Sequence, residues 1–420
     1  MKVFIVCRLM SGFVDSISSN VWNPKGGPAI AKVINRIDRD SESQLSIMMT
    51  RSLSPDSVRL AALNGRHAVE GLNTSIDVRV PTASRFVPSR LMFYVCEFVL
   101  ACAVIVNVLR EKPDVIYVDR SNFLSAALLA RVTKIPVFLR LLGVPPDLVG
   151  IGERKSIFHA LLKWCFRSPF AYVLCTRDGS PARSWMQCYL GKDVKRVSLL
   201  NGVDFPSATT EVSEDNSKIL RVVFVSRLEE IKGAQFFIDA MMEIPDSKMH
   251  LVEPVVVGYG SLFDRLKGVV NQAGRGDWIR FTGGIPANEV QRELVAADLC
   301  VSLNRQGHIS NSNLEAVACG LPIVLQCIEL SNDRLGGIED ILEPDCYVAI
   351  DASSEPSILA EEIVGLASDR PKIEEMKASV RRARDEKLQN WERRIEQEFG
   401  LLCNLAGRGS DTSSEQADCF

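Results

Sequence analysis

Short, continuous apolar runs alternate along this chain with stretches whose apolar residues return every three or four positions. In the first half the continuous runs fall at 3–7, 45–49, 113–119, 137–140, 171–176 and 197–204. In the second half they fall at 220–225, 254–257, 278–283, 298–302 and 323–325. Runs of this length without polar alternation predict strands buried on both faces. Between them, Ala29, Ile30, Val33, Ile34 and Ile37 keep helical spacing, as do the stretches 177–190, 234–242 and 289–297. Strand and helix alternating in this way predict an α/β chain with parallel sheets and right-handed crossovers. Residues 11–27 read as a long polar loop. Residues 205–218, rich in Ser, Thr, Glu and Asp, read as a solvated linker. The expected organisation is one Rossmann-like domain over 1–204 and a second over 219–385. A charge-rich helical stretch follows over 386–404, and a loose tail over 405–420.

The run at 90–110 changes this picture. It is the most apolar stretch of the chain and has the length of a membrane span, about twenty residues. Glu97 and Asn107 interrupt it, and Arg90 and Arg110 flank it. These charges favour a helix packed within the first domain or touching a membrane surface over one that crosses a bilayer.

At 420 residues the chain has room for two domains of ordinary size. The net charge is only −3, but it is unevenly spread. Residues 1–205 hold 27 Lys and Arg against 16 Asp and Glu, and residues 206–420 hold 22 against 36. The first half, near +11, is suited to an anionic acceptor or membrane surface; the second lies near −14. Nothing in this pattern points to nucleic acid. The 12 cysteines form no C-x-x-C pair and have no metal-like spacing with the four histidines, which argues against zinc and suits a reducing compartment. Residues 3–7 read as a first strand, not as a secretory signal.

The chemistry concentrates in the loops after strands. Residues 307–322, GHISNSNLEAVACGLP, read as a polar loop, a short helix and the launch of a strand. Ser310, Asn311 and Ser312 are candidate N-caps, and Gly320 with Pro322 stops the helix. The backbone N–H groups at such a helix start form an anion site. Glu315 sits in the first turn, within reach of a polyol beside a bound phosphate. Gly26 and Gly27, between the first strand and its helix, permit close approach of backbone to phosphate.

The stretch SNSNLEAVACGLPIV resembles the donor-nucleotide motif of retaining GT-B glycosyltransferases of family 4, the glycosyl transferases group 1. Ser226-Arg227-Leu228 followed by Lys232-Gly233 resembles the same family's GRL…KG motif, and the 278–283 run WIRFTG its vrFlG segment. The resemblance covers residues 1 to about 402, with its specific motifs mainly in 197–325. It implies two Rossmann-like domains facing a cleft, with a nucleotide-diphosphate sugar on the second and an acceptor on the first, and, from Trp391-Glu392, a terminal helix over 386–404 that crosses back to the first domain. It implies that Glu315 holds the ribose and that Arg227 and Lys232 contact the donor diphosphate in a catalytic role. It places Gly26, Gly27, Gly258, Gly284, Ile285, Ser312, Asn313 and Leu314 around the donor. It also implies front-face transfer with retention onto a glycan or lipid-linked acceptor, with no cofactor and no metal. The implied setting is polysaccharide or cell-envelope synthesis in the cytoplasm, peripheral on the inner face of a membrane. Two features depart from the family. Gly307 stands where its first motif Glu is expected, and no His ends the 137–140 strand. A non-catalytic homologue that binds a nucleotide-sugar, or a sugar-nucleotide 2-epimerase on the same fold, are the alternative readings.

Overall fold

A computed structural model describes the chain except residues 25–27, 83–88, 153–155, 207–218, 306, 328–336, 409–417 and 420. It falls into two compact units. Unit 1 comprises Met1–Arg177, Pro181–Asn201 and Trp391–Phe420; unit 2 comprises Asp178–Ser180 and Gly202–Asn390.

Unit 1 is built on a nine-stranded sheet. Its strands are β1 (Lys2–Arg8), β2 (Gln44–Thr50), β3 (Gly65–His67), β4 (Ile76–Arg79), β5 (Val115–Asp119), β6 (Val137–Leu141), β7 (Tyr172–Arg177), β8 (Lys195–Leu200) and β15 (Asp418–Cys419). The order across the sheet is β15-β8-β7-β6-β5-β1-β2-β4-β3. All neighbours are parallel except β3 against β4 and β15 against β8. The central strands are apolar on both faces because helices cover both: Val3 to Cys7 are all buried, as is the whole of β5.

Unit 2 carries a six-stranded, all-parallel sheet. Its strands are β9 (Leu220–Val225), β10 (Val252–Val257), β11 (Arg280–Gly283), β12 (Leu299–Ser302), β13 (Ile323–Gln326) and β14 (Tyr347–Ile350). The order is β11-β10-β9-β12-β13-β14. One core joins Leu220, Val222 and Phe224 of β9 to Phe237, Ile238 and Met241 of the helix Ala234–Glu243 and to Leu359, Ile363 and Leu366 of the helix Pro356–Ser368.

Three details correct the sequence reading. Residues 11–27 are not all loop: Ser11–Ser18 is a helix, because Phe13 and Ile17, four apart, both enter the core and Phe13 stacks on Trp22 at 5.6 Å. The helix expected from residue 177 starts at Ala182, after Gly179 (φ +87°) and Pro181 break the backbone. The tail read as loose ends in β15, which pairs along β8 and so satisfies backbone groups on a strand that would otherwise be an open edge.

Helix Trp391–Leu405 packs against helix Pro28–Asp38 within unit 1. Beneath it lies a buried ionic cluster. Tyr117 donates to Glu398 Oε1 at 2.7 Å, Arg140 Nε lies 3.2 Å from the same oxygen, and Arg394 Nη1 lies 2.9 Å from Oε2. All four side chains are fully buried. Burial alone would raise the Glu398 carboxyl. Arg140, Arg394 and the Tyr117 hydrogen bond outweigh it and hold the group below the ordinary carboxylate range.

Candidate functional site

In unit 2 the strand order reverses between β9 and β12. The chain steps outward from β9 through β10 to β11, then returns beside β9 and steps the other way through β13 to β14. β9 and β12 are therefore neighbours, with Val222 against Leu299 and Val223 against Cys300. Connections leave these two strands in opposite directions, so a crevice opens over their carboxyl ends, where open α/β sheets bind ligands. Ser226, Lys232, Leu303, Asn304, Ser310 and Ser312 line it.

Glycines set the shape of its walls. Gly258 has φ +135°, and a Cβ there would lie 1.9 Å from the Ser226 carbonyl oxygen. A Cβ on Gly260 would lie 2.5 Å from the Leu228 carbonyl oxygen. The turn after β10 thus lies directly on the turn after β9, and Leu228 N–H donates to the Tyr259 carbonyl at 3.2 Å. The Glu229 carboxylate ties the same two turns together by accepting from the Ser261 N–H and hydroxyl at 3.2 and 2.6 Å.

Lys232 ends a short 3-10 turn, Glu230–Lys232, and is half-buried. Its ammonium donates to Asn304 Oδ1 at 3.2 Å, and the Asn304 amide donates to the Gly307 carbonyl at 2.6 Å. Burial, and then the neighbouring Arg227 guanidinium, push the Lys232 pKa below its ordinary value. Arg227 is exposed at the turn after β9. Two cations held this close to each other, one of them partly desolvated, are set to receive an anion.

Opposite them the helix Asn311–Ala318 begins. Ser310 caps it in extended conformation, its hydroxyl accepting from the Asn313 N–H at 3.3 Å. Ser310 and Ser312 both line the crevice, so the positive end of the helix dipole opens onto it. Glu315 lies one turn on, exposed at the surface, yet its packed surroundings and the Asp204 carboxylate push its pKa up to about 7. It is reachable by ligand and poorly solvated.

Two residues expected at the donor turn inward instead. Leu314 is fully buried and its N–H donates to the Ser310 carbonyl. Asn313 is buried as well, its amide donating to Ser302 Oγ and the His308 carbonyl, both at 2.9 Å. The helical register explains this: with Ser312 and Glu315 on the crevice side, 313 and 314 face the sheet. Gly258 acts as a spacer between backbones. Gly284 is exposed just beyond β11, beside Tyr259, and Ile285 follows it half-buried. Gly26 and Gly27 lie outside the described residues. Gly307 has φ +135°, and a Cβ there would lie 2.6 Å from the Asp178 carbonyl oxygen. The backbone itself disfavours a glutamate at this position. Asn304 and Asp204 were missed as site residues by sequence reasoning, since single polar residues in loops carry no periodic signal; Ser226 stood in the motif with Arg227 but was given no role.

Unit 1 has a corresponding switch point between β1 and β5. There Arg8 N–H donates to Asp119 Oδ2 at 2.7 Å, and Arg8 Nη2 donates to the Ser121 carbonyl at 2.6 Å. Arg51 and Arg120 are close enough to Arg8 to depress its pKa further, after burial. Burial raises Asp119 above its ordinary value, opposed chiefly by its bonds to Arg8 and Asn122. A groove of this unit lies elsewhere, along Ser46, Arg66, Asp77 and Glu111, away from the carboxyl ends of β1 and β5.

Comparison with known proteins adds relatives and a fold. Residues 220–369 match the family model for glycosyl transferases group 1. The uncharacterized glycosyltransferase MJ1069 of Methanocaldococcus jannaschii is 29% identical over 160 residues, 37% of this chain and 39% of that protein. The 2-deoxystreptamine N-acetyl-D-glucosaminyltransferase of Streptomyces fradiae is 31% identical over 119 residues, 28% of each chain. The chain thus spans less than half the length of each curated relative it matches. The structure of Anabaena Alr3699/HepE in complex with UDP has a TM-score of 0.65 at 16% identity, covering 96% of this chain and 100% of that one. The complex of that protein with UDP-glucose has a TM-score of 0.61 at 16% identity, covering 96% and 99%. This chain therefore has the two-sheet α/β architecture of GT-B glycosyltransferases, and its residues 220–369 carry the match to glycosyl transferases group 1.

Proposed function

We propose that this chain is a glycosyltransferase. It would move a sugar from a nucleoside-diphosphate donor to a hydroxyl of a glycan or lipid-linked acceptor, with retention at the anomeric carbon. The observation that carries the reading is the crevice over β9 and β12, where Lys232, with Arg227 nearby, meets the start of the helix Asn311–Ala318. The donor diphosphate would lie there, with Glu315 accepting hydrogen bonds from the ribose hydroxyls. As the bond from the anomeric carbon to the phosphate oxygen breaks, the diphosphate keeps the electron pair. Arg227 and Lys232 offset that growing charge. The acceptor oxygen bonds to the same face of the carbon, and its proton passes to the departing phosphate oxygen. This route uses no protein nucleophile, so Gly307 in place of a carboxylate does not block it. The anionic part of an acceptor would be met in unit 1 by the arginines at the β1–β5 switch point.

The test is thermal-shift screening against a panel of nucleoside diphosphates and their sugars, then transfer assays with the best donor. A donor that binds should raise the unfolding temperature by mass action, and NMR of the product should show the donor's anomeric configuration. No shift with any nucleotide of the panel would remove the donor assignment. Inverted product would remove the front-face route.

A further inference from the structure

We infer that the helical layer over β2, β1, β5 and β6 of unit 1 is a docking face for an anionic lipid bilayer, with the helix Ser89–Glu111 lying in the plane of the interface. Residues Met92–Glu111 are apolar enough to cross a membrane, with a mean hydropathy of 2.3, yet only 33% of the stretch is buried. The buried part is one stripe. Val104 and Val108 are fully buried and pack with Phe4, Val6 and Met48 of the sheet, and Arg8 lies 3.9 Å from Glu97. A helix fastened to a sheet along one side does not thread through a bilayer. It can present its other side to one.

That other side is also continuous. Tyr94, Phe98, Cys102 and Val106 follow at intervals of four, with Val95, Val99 and Leu109 beside them, and all are exposed. Phe98 and Val99 keep 58% and 57% of their surface open. The patch extends onto the next helices. Tyr94 meets Phe158 at 6.4 Å, and the helix Ile157–Phe166 adds Ile157, 92% open, and Trp164. Contiguous apolar surface of this kind on a folded unit marks an interaction site.

Charge selects the occupant. Of the carboxylates on these helices, Glu97 is held against Arg8, and Glu111 lies 3.5 Å from Lys2. The helices Phe123–Val132 and Ile157–Phe166 contain none. Cations stand instead where each helix ends: Arg110 and Lys112, Arg131 and Lys134, Lys163 and Arg167. Because each helix runs back to begin the next parallel strand, all three ends lie along one edge of the layer. An apolar face bordered by Tyr and Trp and rimmed by Lys and Arg matches the acyl–headgroup boundary of an anionic leaflet. Asp114, exposed beside Lys112, accepts from the Lys2 N–H, and the six cations outnumber it along the rim; a second protein copy would not call for such an excess.

The full chain should be floated with vesicles of phosphatidylcholine alone and of phosphatidylcholine with phosphatidylglycerol, at low and high salt. Light scattering should be recorded without vesicles. We expect partition onto the anionic vesicles, reduced at least tenfold by the double substitution Phe98→Glu with Val106→Glu. High salt, or Arg110→Glu with Lys134→Glu, should also reduce it. The unfolding temperature should hold in both double variants. Should either double variant be unstable, Phe98→Ser alone reads the same partition. Absence of partition at low salt would overturn the inference. So would equal partition onto neutral vesicles. A scattering mass of two chains, made single by Phe98→Glu and Val106→Glu and accompanied by no partition, would assign the face to self-association instead. None of these readings depends on nucleotide binding or transfer.

Discussion

Glu315 is placed where function and stability pull in opposite directions. A carboxyl with a raised folded pKa favours the protonated native state between the ordinary carboxylate value and about 7. Stability from this group is therefore lost as pH rises through 7, and the ionised form then remains as a cost to the fold. Glu315→Gln should raise the unfolding temperature at pH 8 and leave it unchanged near pH 4, read by calorimetry without ligand. The same substitution should weaken nucleoside-diphosphate binding by roughly ten- to a hundredfold, the worth of one or two lost hydrogen bonds to a charged group. Unchanged affinity would take Glu315 out of the site. Arg227 and Lys232 make a second test. Their help grows as the diphosphate departs, so it should appear in turnover more than in donor affinity. Arg227→Ala and Lys232→Ala should each lower kcat by about a hundredfold or more. The double variant should fall short of the product of the two effects, because both act on one charge. Single-turnover rates near wild type for both would move the diphosphate elsewhere.

Among the elements, the two turns after β9 and β10 form one object. Gly258→Ala meets both a left-handed backbone and a carbonyl oxygen at 1.9 Å, so it should cost more than about 2 kcal/mol in denaturant unfolding and loosen the donor crevice. Gly268 is a useful control. It lies in the helix Phe263–Gln272 with nothing near its would-be Cβ, and Gly268→Ala should stabilise by roughly 0.5–1 kcal/mol. A large loss at Gly268, or none at Gly258, would contradict the packing described. This contrast also shows what could be read from the chain unaided. The central strands were legible because burial on both faces leaves an unbroken apolar run, as in β1 and β9. β3, β4 and β14 were not read from the chain, because strands at or next to a sheet edge are short here and mix Asp77, Arg79 and exposed Ala349 into their pattern. Lys232 and the start of the 311–318 helix could be read because a loop motif and a cap each have a local signature. The inward turn of Asn313 and Leu314 could not, since it depends on which side of a helix meets the sheet. The reason for Gly307 also lay beyond the sequence, because its neighbour Asp178 is far away along the chain.

Across the whole molecule, unit 1 is closed by the last helix of the chain. The Glu398 carboxylate between Arg140 and Arg394 has a depressed pKa. Its contribution to stability is present above the unfolded carboxylate value and is lost as pH falls through the folded one. Glu398→Gln should destabilise unit 1 by about 3–5 kcal/mol, because it leaves two buried guanidinium groups without their anion. Differential unfolding of the two units, followed by hydrogen exchange, would locate the loss. Protection lost in unit 2 instead would contradict the assignment of this helix. The same arrangement bears on how the protein is made. Residues 202–390, nearly all of unit 2, leave the ribosome before the helix Trp391–Leu405 does. Arg140 and Tyr117 emerge early and wait for Glu398, on the order of tens of seconds at ordinary rates of synthesis. During that wait unit 1 is a sheet with an uncovered core and an unneutralised arginine. A chain cut short before Glu398 should stay in that state and be cleaved by added protease faster than the full chain, so that only a finished chain becomes a lasting one.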